Sequence, residues 1–174
     1  GLTYEDNIVV PDLDEGEINA NEQLKKIELL KGTISENFIG YIQESNLQQV
    51  QLSSNKVSSQ NNIVKVDLID VDKQDDTLNL QINETDHLNS FLLLSKEILN
   101  LRSFDDGYIN LRARVNNTND DIKYLISCGI GCTPVLDLSE FLTKSDSFID
   151  YSLPIKCFSN NSSLDLSKVN LPLY

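Results

Sequence analysis

From Tyr108 to Val115 the chain alternates without a break. Ile109, Leu111, Ala113 and Val115 share one parity, and Tyr108, Asn110, Arg112 and Arg114 share the other. Successive side chains of an extended strand point to opposite faces, so this order gives a strand with one buried and one wet face. The pattern recurs at Leu78, Leu80 and Ile82, at Ile122, Tyr124, Ile126 and Cys128, and at Ile149, Tyr151, Leu153, Ile155 and Cys157. Between the runs lie SSNK, DKQDD, NNTNDD and SNNSS, rich in residues that tolerate left-handed backbone or bond to it locally. Roughly eight short strands at such spacing specify an all-β sandwich.

Three segments constrain less. Val64, Val66 and Leu68 alternate, but the phase slips between Leu68 and Ile69; a β-bulge there would carry Ile69 and Val71 to the buried face. Leu24, Ile27, Leu30 and Ile34 have helical spacing with Gly32 among them, so helix and strand are locally equal. LNSFLLLSKEI, residues 88–98, is ambiguous for the same reason.

The net charge of −13 argues against nucleic acid, which needs clustered Lys and Arg for phosphate. Seven acids, from Glu5 to Glu22, precede the first lysine, Lys25, and leave an ordinary −6 over the remainder. Residues 11–23, PDLDEGEINANEQ, carry too few apolar groups to order themselves and are expected to be an acidic linker. No apolar run approaches the ~18 residues of a membrane span, so a membrane partner is not expected. The opening GLTYEDNIVV lacks the basic start of a signal peptide and reads as following processing or lying inside a larger protein.

Little catalytic chemistry is legible. Cys128 and Cys132 enclose Gly129, Ile130 and Gly131. A zinc site would have only Cys157 and His87 to add, and a redox pair would be C-x-x-C at a helix start. A disulfide is the remaining reading, because glycines free to take positive φ close a tight loop. Cys157, on the apolar parity of its strand, is expected to be a buried thiol. Asp70, Asp72, Asp75 and Asp76 lack the central Gly and terminal Glu of an EF-hand loop and read as a solvated strand end. His87 has no nucleophile motif beside it. Neither a metal nor a cofactor is expected. Trp is absent and only Tyr41, Tyr108, Tyr124 and Tyr151 lie in strand-like segments, which weakens a lectin reading; Tyr41 and Tyr108 are the candidates for sugar contact.

The order of motifs resembles a known family. CGIGC (128–132) is followed by LDL (136–138), by PIKCF (154–158) and by DLS (165–167). This order is similar to the C-terminal galactose-binding-like domain of bacterial glycoside hydrolase family 3 β-glucosidases of the exo-1,3/1,4-β-glucanase type. GLTYEDN, residues 1–7, resembles the strand that closes the second catalytic-core domain there. The chain departs from the family in lacking its tryptophans: Phe38 stands near the first, and nothing aromatic lies around Asn79 to Gln81. It also stops at LPLY, where the family continues through a further hairpin.

The resemblance implies a jelly-roll, galactose-binding-like sandwich over residues 24–174, a linker over 11–23 and, over 1–10, the last strand of a preceding catalytic-core domain. It implies that no catalytic residue lies in this chain, since the family's nucleophile and acid/base belong to the two preceding domains. The parent would hydrolyse β-glucans with retention. The chain would pack on those catalytic domains, with a share in holding β-glucan oligosaccharide or polysaccharide. A free-standing lectin-like module is the alternative. A periplasmic or secreted location agrees with a Cys128–Cys132 bridge. Strands are expected at 108–115, 122–128 and 148–157, with Ile109, Leu111, Val115, Ile126, Leu153 and Ile155 in the core. Leu171 to Tyr174 should enter the same sandwich, and Gly1 to Tyr4 should lack neighbours.

Overall fold

Val64, Val66 and Leu68 point into the protein from one strand, and the residues between them stay half-buried. The structure, a computed structural model, describes residues 2–5, 26–83, 88–116, 122–159 and 164–174. The expected linker at 11–23 and His87 lie outside the described residues.

The strands in order are β1 (Leu2–Glu5), β2 (Lys26–Lys31), β3 (Thr33–Ile34), β4 (Phe38–Gln43), β5 (Leu47–Val50), β6 (Val57–Ser58) and β7 (Val64–Ile69), then β8 (Thr77–Ile82), β9 (Ser90–Ser95), β10 (Tyr108–Ala113), β11 (Lys123–Leu125), β12 (Val135–Asp137) and β13 (Ile149–Pro154). They form antiparallel sheets in the orders β13-β10-β1-β2-β3, β5-β4-β9, β6-β7-β8 and β11-β12. The architecture is that of a β-sandwich, and among the described residues helix is confined to 3₁₀ turns and the one turn α1 (Lys156–Ser159).

The C-terminal segment joins two of these sheets. Leu173 bridges Leu93 of β9, and Leu171 bridges Ser127 just beyond β11. The Leu93 N–H donates to the Leu173 carbonyl at 2.9 Å, and the Leu125 N–H donates to that of Tyr174 at 3.0 Å. Leu171 to Tyr174 therefore enter the sandwich as expected. A second tie links β4 to the loop before β7. Glu44, 9% exposed, accepts hydrogen bonds from the Ser59 hydroxyl at 2.7 Å, the Asn61 side-chain amide at 2.7 Å and the Asn61 N–H at 3.0 Å.

The core gathers residues from every large sheet. Leu29, Ile42, Val64, Leu93, Ile109, Ile126, Leu153, Ile155 and Phe158 are fully enclosed. Tyr124 meets Phe158 edge to face at 5.5 Å between ring centroids, while its hydroxyl donates to the Pro172 carbonyl at 2.7 Å. Of the expected core residues, Ile109, Ile126, Leu153 and Ile155 are buried. Leu111 and Val115 are half-buried, because β10 ends at Ala113 and Val115 lies past its close.

Both ambiguous segments are extended, as β2–β3 and β9. Gly32 turns the chain between β2 and β3 at φ +71°, and a Cβ there would strike the Asp75–Asp76 backbone.

Five expectations are corrected. No bulge interrupts β7: its register with β8 runs unbroken from Val64↔Ile82 to Ile69↔Thr77. The strand stops at Ile69 because the next turn is closed by carboxylates, which leaves Val71 37% exposed. The strand expected at 148–157 ends at Pro154. The Ile155 N–H bonds instead to the Gly107 carbonyl, and Cys157 sits half-buried on α1 as a free thiol. The strand expected at 122–128 is short, since only Lys123–Leu125 pair with β12. Leu2–Glu5 does have neighbours: β1 lies between β10 and β2, pairing Leu2 with Leu111 and Tyr4 with Ile109 and Ile27. Backbone groups on the flanks of β10 and β2 need partners, and an alternating segment satisfies both.

Phe158 is fully enclosed and braces Tyr124, so Phe158→Ala should cost about 3–5 kcal/mol. Chemical denaturation should show a lower midpoint with an unchanged slope. A loss below about 1 kcal/mol would mean that this part of the core collapses freely onto the gap.

Candidate functional site

The cysteine loop is built from its glycines. Gly129 and Gly131 take φ +111° and +78°, which L side chains rarely adopt. The Cys128 N–H then reaches the Cys132 carbonyl at 2.9 Å, and the Cys132 N–H reaches that of Gly129 at 3.1 Å. A disulfide joins the two cysteines, with their Cα atoms 5.1 Å apart. It holds fully exposed Ile130 at the tip of the loop. So small a ring constrains the unfolded chain by only about 2 kcal/mol.

Beside the loop, the Asp165 N–H donates to Cys128 Sγ at 3.3 Å. Arg102, Asp105, Leu164, Asp165 and Leu166 line a shallow, open depression of 380 Å³ there. The Asp165 carboxylate there accepts from the Ser167 hydroxyl and N–H at 2.5 and 3.0 Å. Asp137 does the same with Ser139, at 2.6 and 3.0 Å. The two LDLS segments thus fold alike. Each aspartate caps a 3₁₀ turn that buries the following leucine, Leu138 or Leu166. The serine hydroxyl and then the serine N–H hold each carboxyl below the usual carboxylate range.

The aspartates of the β7–β8 turn are spent in a similar way. Asp76 accepts from the N–H groups of Val71, Asp72 and Lys73 at 2.8–2.9 Å, and Asp70 accepts from that of Asp75 at 2.7 Å. Partial burial pushes the Asp76 carboxyl up, but those backbone donors and the Thr77 hydroxyl outweigh it and hold the pKa at about 2. Among the described residues no group of His, Cys, Asp and Glu is arranged to hold a metal ion.

Tyr41 and Tyr108 are not brought together. Tyr41 lies on β4 between Gln49 and Leu92, Tyr108 on β10 between Glu5 and Pro154, and both are half-buried. Sequence reasoning missed Phe148. It stands just before β13, and the guanidinium groups of Arg112 and Arg114 sit 5.5 and 5.2 Å from its ring centre. The available signal was its parity, shared with Asp150 and Ser152 on the wet side of that strand.

One apolar row is left open. Leu78, Leu80 and Ile82 of β8 stand opposite the buried Leu68, Val66 and Val64 and so share their face. Yet Leu80 and Ile82 are 41% and 42% exposed, because β8 is the last strand of its sheet among the described residues.

Fold and surface define a β-sandwich module in which Glu44, Asp70, Asp76, Asp137 and Asp165 hold loops and turns. A family model described as galactose-binding domain-like matches residues 39–174, from within β4 to the last residue, and the chain belongs to that family. The family gives it a carbohydrate-binding or accessory role, typically non-catalytic. No curated protein and no solved structure matches it.

Two measurements test these sites. Unfolding followed by alkylation without reductant should label one cysteine, Cys157, and labelling of three would refute the bridge. Asp76 has a folded pKa of about 2 against an ordinary 3.8, so its stabilisation is complete above the ordinary value and is lost as pH falls toward the folded one. Asp76→Asn should therefore lower the melting temperature at neutral pH and flatten its fall over that acid window. A variant with wild-type pH dependence would show that the turn closes without this carboxylate.

Proposed function

We propose that the chain is the non-catalytic accessory domain of a glycoside hydrolase family 3 exo-β-glucanase or β-glucosidase. In this reading it packs on the catalytic domains of the same polypeptide and shares in holding β-glucan, and the enzyme works in a periplasm or outside the cell. The order of the CGIGC, LDL, PIKCF and DLS motifs supports it, as does membership of the galactose-binding domain-like family. The observation that carries the packing role is the ledge on β8. Leu80 and Ile82 extend a buried apolar row past the edge of the core, and a contiguous open apolar surface marks a place where another surface docks. The strand itself, TLNLQI, has no charge, Pro or Gly, the devices that keep an edge strand solitary.

Leu80→Asp with Ile82→Asp should weaken association with separately supplied catalytic domains at least tenfold in analytical ultracentrifugation. Both side chains are more than half covered, so the double variant should also melt lower, and its association is read only where circular dichroism shows it folded. Undiminished association would remove the docking role of β8. Turnover of an aryl β-glucoside by the chain alone, above a buffer control, would remove the accessory assignment altogether.

A further inference from the structure

The antiparallel register of β10 with β13 sorts their side chains into two sets. Ile109 and Leu153 form a cross-strand pair at 0% exposure, so their side faces the core. The other side carries the pairs Tyr108–Pro154, Asn110–Ser152 and Arg112–Asp150, and the same parity continues to Arg114 and Phe148. Six steps of about 3.3 Å make this face roughly 20 Å long from Tyr108 to Arg114.

Its chemistry changes along its length. At one end the half-buried Tyr108 ring lies beside Pro154 and offers an apolar surface with a polar tip. In the middle the Ser152 hydroxyl donates to Asn110 Oδ1 at 2.6 Å, which fixes the amide oxygen and leaves the amide N–H₂ its donors. At the far end Arg112 and Arg114 rest against Phe148, so two long side chains are already ordered and bind with less entropy loss. Charge is balanced locally. Arg112 is 3.6 Å from Asp72 and stands across from Asp150. With the chain at −13 overall, the face favours an uncharged ligand over a polyanion.

We propose that the outward face of β10 and β13 is a platform for an uncharged, extended saccharide. One sugar lies on Tyr108, and the hydroxyls of later sugars meet Asn110, Ser152 and the two guanidinium groups. Phe148 is a positioning residue that acts through Arg112 and Arg114. The inference rests on the carbohydrate-binding side of the family role and is independent of docking through β8.

The test is titration of the ¹⁵N-labelled chain with cellohexaose, laminarihexaose and β-1,4-galactohexaose, with hexagalacturonate as the anionic control. At least one neutral hexaose should shift the amides of residues 108–114 and 149–153, and should bind at least tenfold more tightly than its disaccharide. Tyr108→Ala and the double variant Arg112→Ala/Arg114→Ala should each weaken binding at least tenfold. Phe148→Ala should weaken it too, Phe148→Tyr should restore it, and Tyr41→Ala should leave it unchanged. The proposal is overturned if no neutral hexaose binds at millimolar concentration, if the shifts lie elsewhere, if the uronate binds best, or if only Tyr41→Ala has an effect. None of these results alters association through Leu80 and Ile82, so failure of the platform is distinct from failure of the accessory reading.

Discussion

The sandwich depends on a strand-like segment that the chain supplies last. β9 is buried along most of its length, and its Leu93 N–H would face an apolar interior without the Leu173 carbonyl. On the other side of the segment, the N–H groups of Leu125 and Ser127 bond to the carbonyls of Tyr174 and Leu171 at 3.0 Å. An unpaired buried backbone group costs about 1–3 kcal/mol, so several together would be prohibitive for a domain of ordinary stability. Two side chains fix the register. The Tyr124 hydroxyl reaches the Pro172 carbonyl at 2.7 Å, and the Tyr174 hydroxyl reaches Gln43 Oε1 at 2.5 Å. The β5-β4-β9 sheet and the β11-β12 pair are thus tied by four residues remote from both in sequence.

This dependence explains what could be read in advance. Strands with one wet face declare themselves by alternation, as β10 and β13 do. β9 does not, because Ser90 to Leu93 are buried on both faces and its run SFLLLS carries no period. The β2–β3 segment hid its nature differently. Its apolar residues have helical spacing, but Gly32 at positive φ against the Asp75–Asp76 backbone forces a turn in its middle. The phase slip after Leu68 looked like a bulge because pattern alone cannot distinguish an extra residue within a strand from the end of one. The carboxylates of Asp70 and Asp76, which capture the following backbone, decide in favour of an end. Membership of a sheet by Leu2–Glu5 is a matter of long-range pairing, on which four residues of sequence are silent.

The sites were legible to a similar degree and for similar reasons. Local chemistry was visible, as in the two cysteines about glycines. The partnership of Phe148 with Arg112 and Arg114 joins residues more than thirty positions apart through the β10–β13 register. Tyr41 and Tyr108 looked equivalent as tyrosines in strand-like segments, and only the sheet order places them on different sheets.

The acidic character of the chain acquires a meaning from its hydrogen bonds. A glycosidic general acid needs a carboxyl raised toward neutrality. Glu44, Asp76, Asp137 and Asp165 are all shifted the other way: serine hydroxyls are the largest influence on Glu44, Asp137 and Asp165, while backbone donors overcome the effect of burial on Asp76. Each is committed to holding a turn or a loop in its ionised form, and that commitment is what positions the rest. Asp76 closes the turn from which β8 sets out, and Glu44 anchors the loop from which β7 begins. The β8 ledge therefore owes its placement to ionised carboxylates at its base. The β10–β13 face owes its own to backbone pairing in another sheet. An ion pair of Arg112 with Asp72, 3.6 Å apart, nonetheless joins that face to the turn at the foot of β8, so the two surfaces share a contact.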